Sequence, residues 1–334
     1  MDAATRIAPE TLEWLLDPSD PSVRYFTLRD LLQRRDDDAE LRAARAGIMA
    51  GATVSAILAG QHEDGYWVAP NQFYTAKYRG TVWQLITLAE LGADGRDPRI
   101  QKACAYLLDI SQDRQSGGFS AEGCLRNGGQ HSSVIPCLSG NMVFALLRLG
   151  CRDERMQAGI DWITNHQRFD DGDVDAPKGW PYDRYQMCWG RHTCHMGVVK
   201  AMKGLAEIPE TERSEAVRTC LANAAEFMLI HHIHKRSHDL DRTSKPGWKK
   251  FGFPRMYQTD ALEILNLLLD LGHRDPRMAE AVALVASRQG ADGHWRLADS
   301  FNRSMDVPIE KLGQPSKWIT LKALTALGRW QEAA

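Results

Sequence analysis

The sequence lacks most of what would place it outside the globular helical proteins. No run of 18 apolar residues is available to cross a membrane as a helix. The opening residues, MDAATRIAPETLEWLL, have no basic segment followed by an apolar block, so no secretory signal is expected and the cytoplasm is the expected compartment. An excess of one charge is missing too. The 41 Lys and Arg stand against 43 Asp and Glu, a net −2, which offers nucleic acid no global basic field. Seven cysteines, an odd number, in 334 residues argue against a disulfide framework and for reduced thiols or a metal site. Period-two alternation, the mark of strands, is almost absent. Peripheral contact with a membrane and the oligomeric state stay open.

What is present is repetition. Leu91-Gly92, Leu149-Gly150, Leu271-Gly272 and Leu327-Gly328 each close an apolar helical run, at intervals of 58, 122 and 56 residues. The long interval is two periods with a degenerate copy, Leu205 to Pro209, between them. A second mark falls between these points. Gln61 to Trp67 (QHEDGYW), Gln112 to Phe119 (QDRQSGGF) and Gln289 to Trp295 (QGADGHW) share a Gln, a Gly and an aromatic residue, with a stretched copy at Gln167 to Trp180. In each, the Gly breaks the chain, the Gln can cap backbone groups and the aromatic can pack between units. Leu, Ala and Met at spacings of three and four make each unit a pair of helices. Units this alike must stack to bury their apolar faces. Five to six pairs, roughly 21–61, 62–112, 113–167, 168–232, 233–289 and 290–330, form one domain over 1–334, closed as a ring or left as an open solenoid.

The Gln-x-x-x-Gly-x-Trp pattern on two-helix units resembles the repeat family of squalene and hopene cyclases and of protein prenyltransferase beta subunits. The likeness spans roughly residues 20 to 330. It implies an all-α fold, the α/α toroid, and isomerase or transferase chemistry on an isoprenoid or similar apolar substrate in a central cavity. With Leu-Gly as the register mark, the inner helices begin near Thr81, Ser139, His195, Ala261 and Lys317, and their N-termini meet at one mouth of the ring.

Three groups at that mouth carry chemistry. Cys124, Cys137, Cys188 and His192 are the candidate ligands of a tetrahedral zinc ion, with His192 set beside Cys137 across the rim. His192-Thr193-Cys194 is similar to the segment bearing the zinc histidine in prenyltransferase beta subunits. Cys137 sits at that family's zinc cysteine, although Ile135 replaces the family's Asp. The plainer reading makes these thiols small buried hydrophobes, as Cys104, Cys151 and Cys220 are expected to be. Asp260 stands where class II cyclases carry their protonating acid, but without the neighbouring acids of that motif, and it is equally placed to cap a helix. The loop Asp170 to Asp175, with Asp171 a third catalytic candidate beside Asp260 and His192, is expected to be a stretched turn rather than a divalent cation site. Tyr78, Trp83, Trp189 and Tyr257 are the aromatic residues expected to shield a cation, and Arg79, Arg191 and Lys317 add positive charge, as does Lys77. The insert His231 to Lys250 replaces a repeat turn and reads as a solvated loop or a lid.

Three functions fit: a cyclase-like enzyme, a zinc enzyme of the prenyltransferase-like fold, or a non-catalytic toroidal binding protein with structural zinc.

Overall fold

A computed structural model describes residues 7–331. The chain forms fourteen α-helices among the described residues. In order they are α1 (Pro9–Leu15), α2 (Pro21–Phe26), α3 (Ala39–Gly47), α4 (Ala52–Ala59), α5 (Thr81–Glu90), α6 (Pro98–Ser111), α7 (Pro136–Arg148), α8 (Arg155–His166), α9 (Gln186–Trp189), α10 (His195–Ala206), α11 (Glu215–Ile230), α12 (Ala261–Asp270), α13 (Ala279–Ala286) and α14 (Lys317–Gln331). Two small antiparallel hairpins interrupt them: β1 (Gly123–Cys124) with β2 (Gly128–Gly129), and β3 (Lys235–Arg236) with β4 (Asp239–Thr243).

The architecture is an α/α toroid. α5, α7, α10, α12 and α14 are the inner helices, and each neighbour in that series packs on the next. The ring closes where α14 packs on α2 and the π-turn Thr27–Leu31, and where Phe26 comes up against Gly92 at the end of α5. α6, α8, α11 and α13 lie outside them. Inner helices are buried almost all round. In α5 every residue from Thr81 to Ala89 is buried.

The repeated turn explains the spacing of the units. Trp67 donates its indole N–H to Ile57 O at 2.8 Å, and Trp295 does the same to Val285 O at 2.7 Å. The backbone N–H of Trp67, Phe119 and Trp295 meets a hydroxyl of the following inner helix: Thr81, Ser139 and Thr320. Gln61 and Gln112 each bridge their own turn to the first turn of the next outer helix, through Arg99 O and Arg155 O, both at 2.9 Å. So one glutamine and one aromatic residue fix the turn, the outer helix and the inner helix together.

Gly92, Gly150 and Gly272 end their helices with positive φ, as a C-terminal Gly should. Gly328 differs: α14 runs through it to Gln331. One stretch, Ala39–Ala59, has the length and mean hydropathy (1.2) of a membrane span, but it divides at Gly51 into α3, a 3-10 turn and α4. Leu41, Ile48, Val54 and Ile57 turn inward from it as core.

Candidate functional site

Chemistry gathers where α10 begins. The chain leaving α8 runs antiparallel to the residues entering α10: Gly172 N–H donates to Arg191 O at 2.8 Å and Thr193 N–H to Asp170 O at 2.9 Å. This pairing seats Asp171 opposite His192. Gly172 is needed there twice over. Its φ is +97°, and a Cβ would fall 2.4 Å from the His192 ring.

The insert after α11 then folds back on the same carboxylate. The turn between β3 and β4 brings Ser237, whose hydroxyl donates to Asp171 Oδ2. His238 Nε2 lies 2.8 Å from Asp171 O and 3.4 Å from Oδ2. His231, at the end of α11, places Nε2 3.2 Å from Oδ1, and His192 places Nδ1 3.5 Å from the same oxygen. The Asp171 side chain is 10% exposed, whereas those of His192 and His238 are 63% and 64% exposed. The result is a shielded carboxylate with two open imidazoles flanking it. Behind it, His195 packs edge-on to His231 at 4.2 Å and against Phe227 and Trp248.

Electrostatics follow from that geometry. Burial works against ionising Asp171, but the Ser237 hydroxyl and the surrounding histidines outweigh it and hold its pKa below the usual value. Asp171 in turn raises the pKa of His238. Burial pushes His195 down to about 3, so it is a neutral imidazole. His231 Nδ1 lies 2.7 Å from Phe227 O, so Nδ1 carries the hydrogen. Its Nε2 faces an Asp171 carboxylate oxygen 3.2 Å away.

The sequence-derived residues divide sharply. Asp171 and His192 come together. Among the described residues, the one group of three or more His, Cys, Asp or Glu whose ligand atoms all lie within 4.8 Å of one another is Asp171, His192 and His238. The set Cys124, Cys137, Cys188 and His192 is therefore not assembled; His192 instead lies opposite Asp171 and beside His238. Cys124 is exposed on the β1–β2 hairpin. Cys137 and Cys188 neighbour each other near Cys194, and burial pushes both thiols up to about 12, which leaves them protonated. Cys104 and Cys220 are buried and Cys151 half-buried.

Asp260 is a helix cap. Oδ1 accepts from Glu263 N at 2.8 Å, Oδ2 accepts from Gly252 N at 3.0 Å, and Arg255 Nε stands 3.3 Å away. Trp189 is fully buried against Trp162 and Tyr182 rather than facing a mouth. Arg79 pairs with Asp306, Lys317 with Asp17, and Arg191 reaches Gly172 O and Asp175. Only Tyr78, Trp83 and Tyr257 of the expected aromatic set cluster, with ring centroids 5.1 to 6.3 Å apart.

The sequence reading missed the polar interior. The last turns of the inner helices line an open cavity of about 540 Å³ at the opposite mouth. It is ionic rather than apolar. Lys203 pairs with Glu90 and Glu263, Arg148 with Glu207, Arg29 with Asp30, and Arg329 with Asp270. Its charges are spent on one another. The signal was present as Lys200, Lys203 and Glu263 inside otherwise apolar helices. His238 was also missed as a partner of Asp171, since 67 residues separate them.

No family model matches the chain, and no curated protein matches it. Solved structures do. The crystal structure of an unsaturated glucuronyl hydrolase specific for heparin is similar at 12% identity and a TM-score of 0.49, over 94% of this chain and 86% of that one. A GH76 α-mannanase of Bacteroides thetaiotaomicron is similar at 10% identity and a TM-score of 0.48, over 99% of this chain and 97% of that one. Neither is a cyclase or a prenyltransferase, and at these values neither activity passes to this chain.

Proposed function

We propose that this α/α toroid is a metal-dependent enzyme acting on a polar substrate, with a divalent cation such as zinc held by Asp171, His192 and His238. The observation that carries this reading is the convergence on Asp171. Three ligand atoms lie within 4.8 Å of one another, and a third imidazole, His231, places Nε2 3.2 Å from the carboxylate. Carboxylate and imidazole are a donor set suited to zinc and to other first-row metals. A bound cation of this kind supplies a Lewis acid and lowers the pKa of water.

The protein's own residues have distinct parts. Ser237 holds Oδ2 and, with His231, fixes the orientation of the Asp171 carboxylate. His231 is fixed in turn by Phe227 O, which makes it an outer support of the site. His192 and His238 stand at the solvent face, so a substrate reaches the centre without opening the ring. Structural zinc sites are closed by four protein ligands, whereas catalytic ones keep an open position. The exposure of both histidines favours the open kind, and with it an enzyme over a binding protein.

The cyclase reading has less support. It needs a free acid in an apolar chamber, but both oxygens of Asp260 are engaged and the cavity at the far mouth is open and lined largely by charged residues.

Cobalt substitution tests the proposal. The wild type should take up about one Co(II) per chain with visible d–d bands, and a small anion such as azide should shift those bands if a position is open. His238→Ala and Asp171→Ala should lose the bands. Uptake below about 0.2 Co(II) per chain at equimolar metal would overturn the metal centre. Bands unmoved by anions would leave a closed structural ion and sink the enzyme.

A further inference from the structure

The aromatic cluster at the mouth has an occupant already. Lys77 lies in the loop ahead of α5 and is exposed. Its ammonium sits 4.9 Å from the Tyr74 ring centre, 5.6 Å from Trp83 and 4.7 Å from Tyr257. Those distances are inside the range over which a ring face attracts a cation, about 6 Å. The other rim cations behave differently: Arg79 and Lys317 each pair with a carboxylate, Asp306 and Asp17. Among the described residues Lys77 has no acidic partner within 4.0 Å, and three rings take the place of one.

The cage does not depend on Lys77 for its shape. Trp83 is buried in the first turn of α5 and its indole N–H donates to Tyr74 O at 2.8 Å, which locks those two walls together. Tyr78 packs edge-on to Trp83 at 5.1 Å and is backed by Phe301 at 4.2 Å. Tyr257 comes from the segment ahead of α12 and lies nearly parallel to Tyr78, at 11°. The walls thus belong to three separate segments held by the ring. Lys77 is a flexible chain from the solvent side that can swing away.

We propose that Tyr74, Trp83 and Tyr257 form a binding site for an organic ammonium group, above all a quaternary one, and that Lys77 fills the site from within the chain until such a ligand displaces it. The class follows from what lines the cage. Ring faces stabilise a positive charge but accept few hydrogen bonds, so a primary ammonium gives up more hydration on entry than a quaternary one. Asp260 and Asp299, on segments beside the cage, are each paired with Arg255. This proposal is independent of the metal reading.

The test uses tetramethylammonium as the probe, with neopentyl alcohol, which is larger by one hydroxyl, as a neutral compound of similar size, titrated by calorimetry and tryptophan fluorescence. Lys77→Ala should bind tetramethylammonium about tenfold more tightly than wild type, the effect of removing an internal competitor worth ~1.4 kcal/mol. Neopentyl alcohol should bind neither protein. In the Lys77→Ala background, Tyr257→Phe should keep binding and Tyr257→Leu should lose it, with melting curves confirming that each variant folds. No gain on removing Lys77, or equal binding of the neutral compound, would overturn the proposal.

Discussion

At the scale of the single residue, Asp260 and His195 show how burial decides what a titratable group can do. Asp260 is 2% exposed and receives two backbone N–H groups besides the Arg255 guanidinium. Asp260→Ala removes a helix cap, worth about 1 kcal/mol, and leaves Arg255 buried with less compensation, worth about 3 kcal/mol or more. Asp260→Asn should keep the cap and lose less. Urea unfolding of the pair checks the order. His195 makes a pH prediction. Its folded pKa, about 3, is below the 6.5 of the unfolded chain, so only the unfolded state takes the proton in between. Stability should therefore fall as pH drops from about 6.5 towards 3. His195→Phe should flatten the melting-temperature profile between about pH 6.5 and 4.5, above the carboxylate range. Some slope will remain, because burial also lowers His234, to about 4. A variant with the full wild-type slope would contradict this assignment.

At the scale of the element, α7 and α10 approach so closely that glycine is obligatory. A Cβ on Gly140 would lie 2.3 Å from Lys200 C, and one on Gly204 would lie 2.6 Å from Gly140 O. Gly140→Ala should destabilise by about 1–3 kcal/mol from overpacking, despite a helix-propensity gain of about 1 kcal/mol. Gly328, inside α14, has nothing within 4 Å of the place a Cβ would occupy, so Gly328→Ala should stabilise by up to about 1 kcal/mol. Opposite shifts in the unfolding midpoints are the expected result. The same pair shows how far the sequence can be read. Leu327-Gly328 looks like the other three helix ends because local pattern cannot see that the helix continues. Nothing in the local pattern marks Gly140 and Gly204, because a close approach is a tertiary fact. What period and register control was legible: the starts expected at Thr81, His195, Ala261 and Lys317 are the first residues of α5, α10, α12 and α14. The candidate site was legible only in part. Asp171 and His192 stood out by type and place, but the insert that carries His231, Ser237 and His238 has no repeat register, so nothing in the pattern said where it folds back.

At the scale of the whole molecule, the ring is tied across its axis by charge. Lys200 and Lys203 of α10 meet Glu263 of α12, Lys203 also meets Glu90 of α5, and Lys322 of α14 lies 3.8 Å from Glu90. Four of the inner helices thus share one network. Lys200 is 0% exposed, and burial, partly offset by Glu263, pushes its pKa down to about 8. Lys203 is raised instead, because two carboxylates outweigh its burial. Both carboxyls are held low by these lysines, Glu90 at about 2. A network of this kind stabilises less than its contacts suggest, since desolvation offsets the attraction. Breaking it on one side is another matter. Glu263→Leu leaves two buried ammonium groups short of a charge and should cost about 3–5 kcal/mol. Lys200→Met combined with Glu263→Leu should recover much of that loss, giving a coupling energy of about 1–3 kcal/mol in a double-mutant cycle. The sign with pH follows from the depressed carboxyls. Their contribution is present above about pH 4.5, the unfolded value, and is lost as pH falls through the folded values. The wild type should accordingly lose stability between about pH 5 and 2, and the double variant should lose less over that window. Equal acid sensitivity in the two proteins would show that Glu263 contributes nothing to the pH dependence.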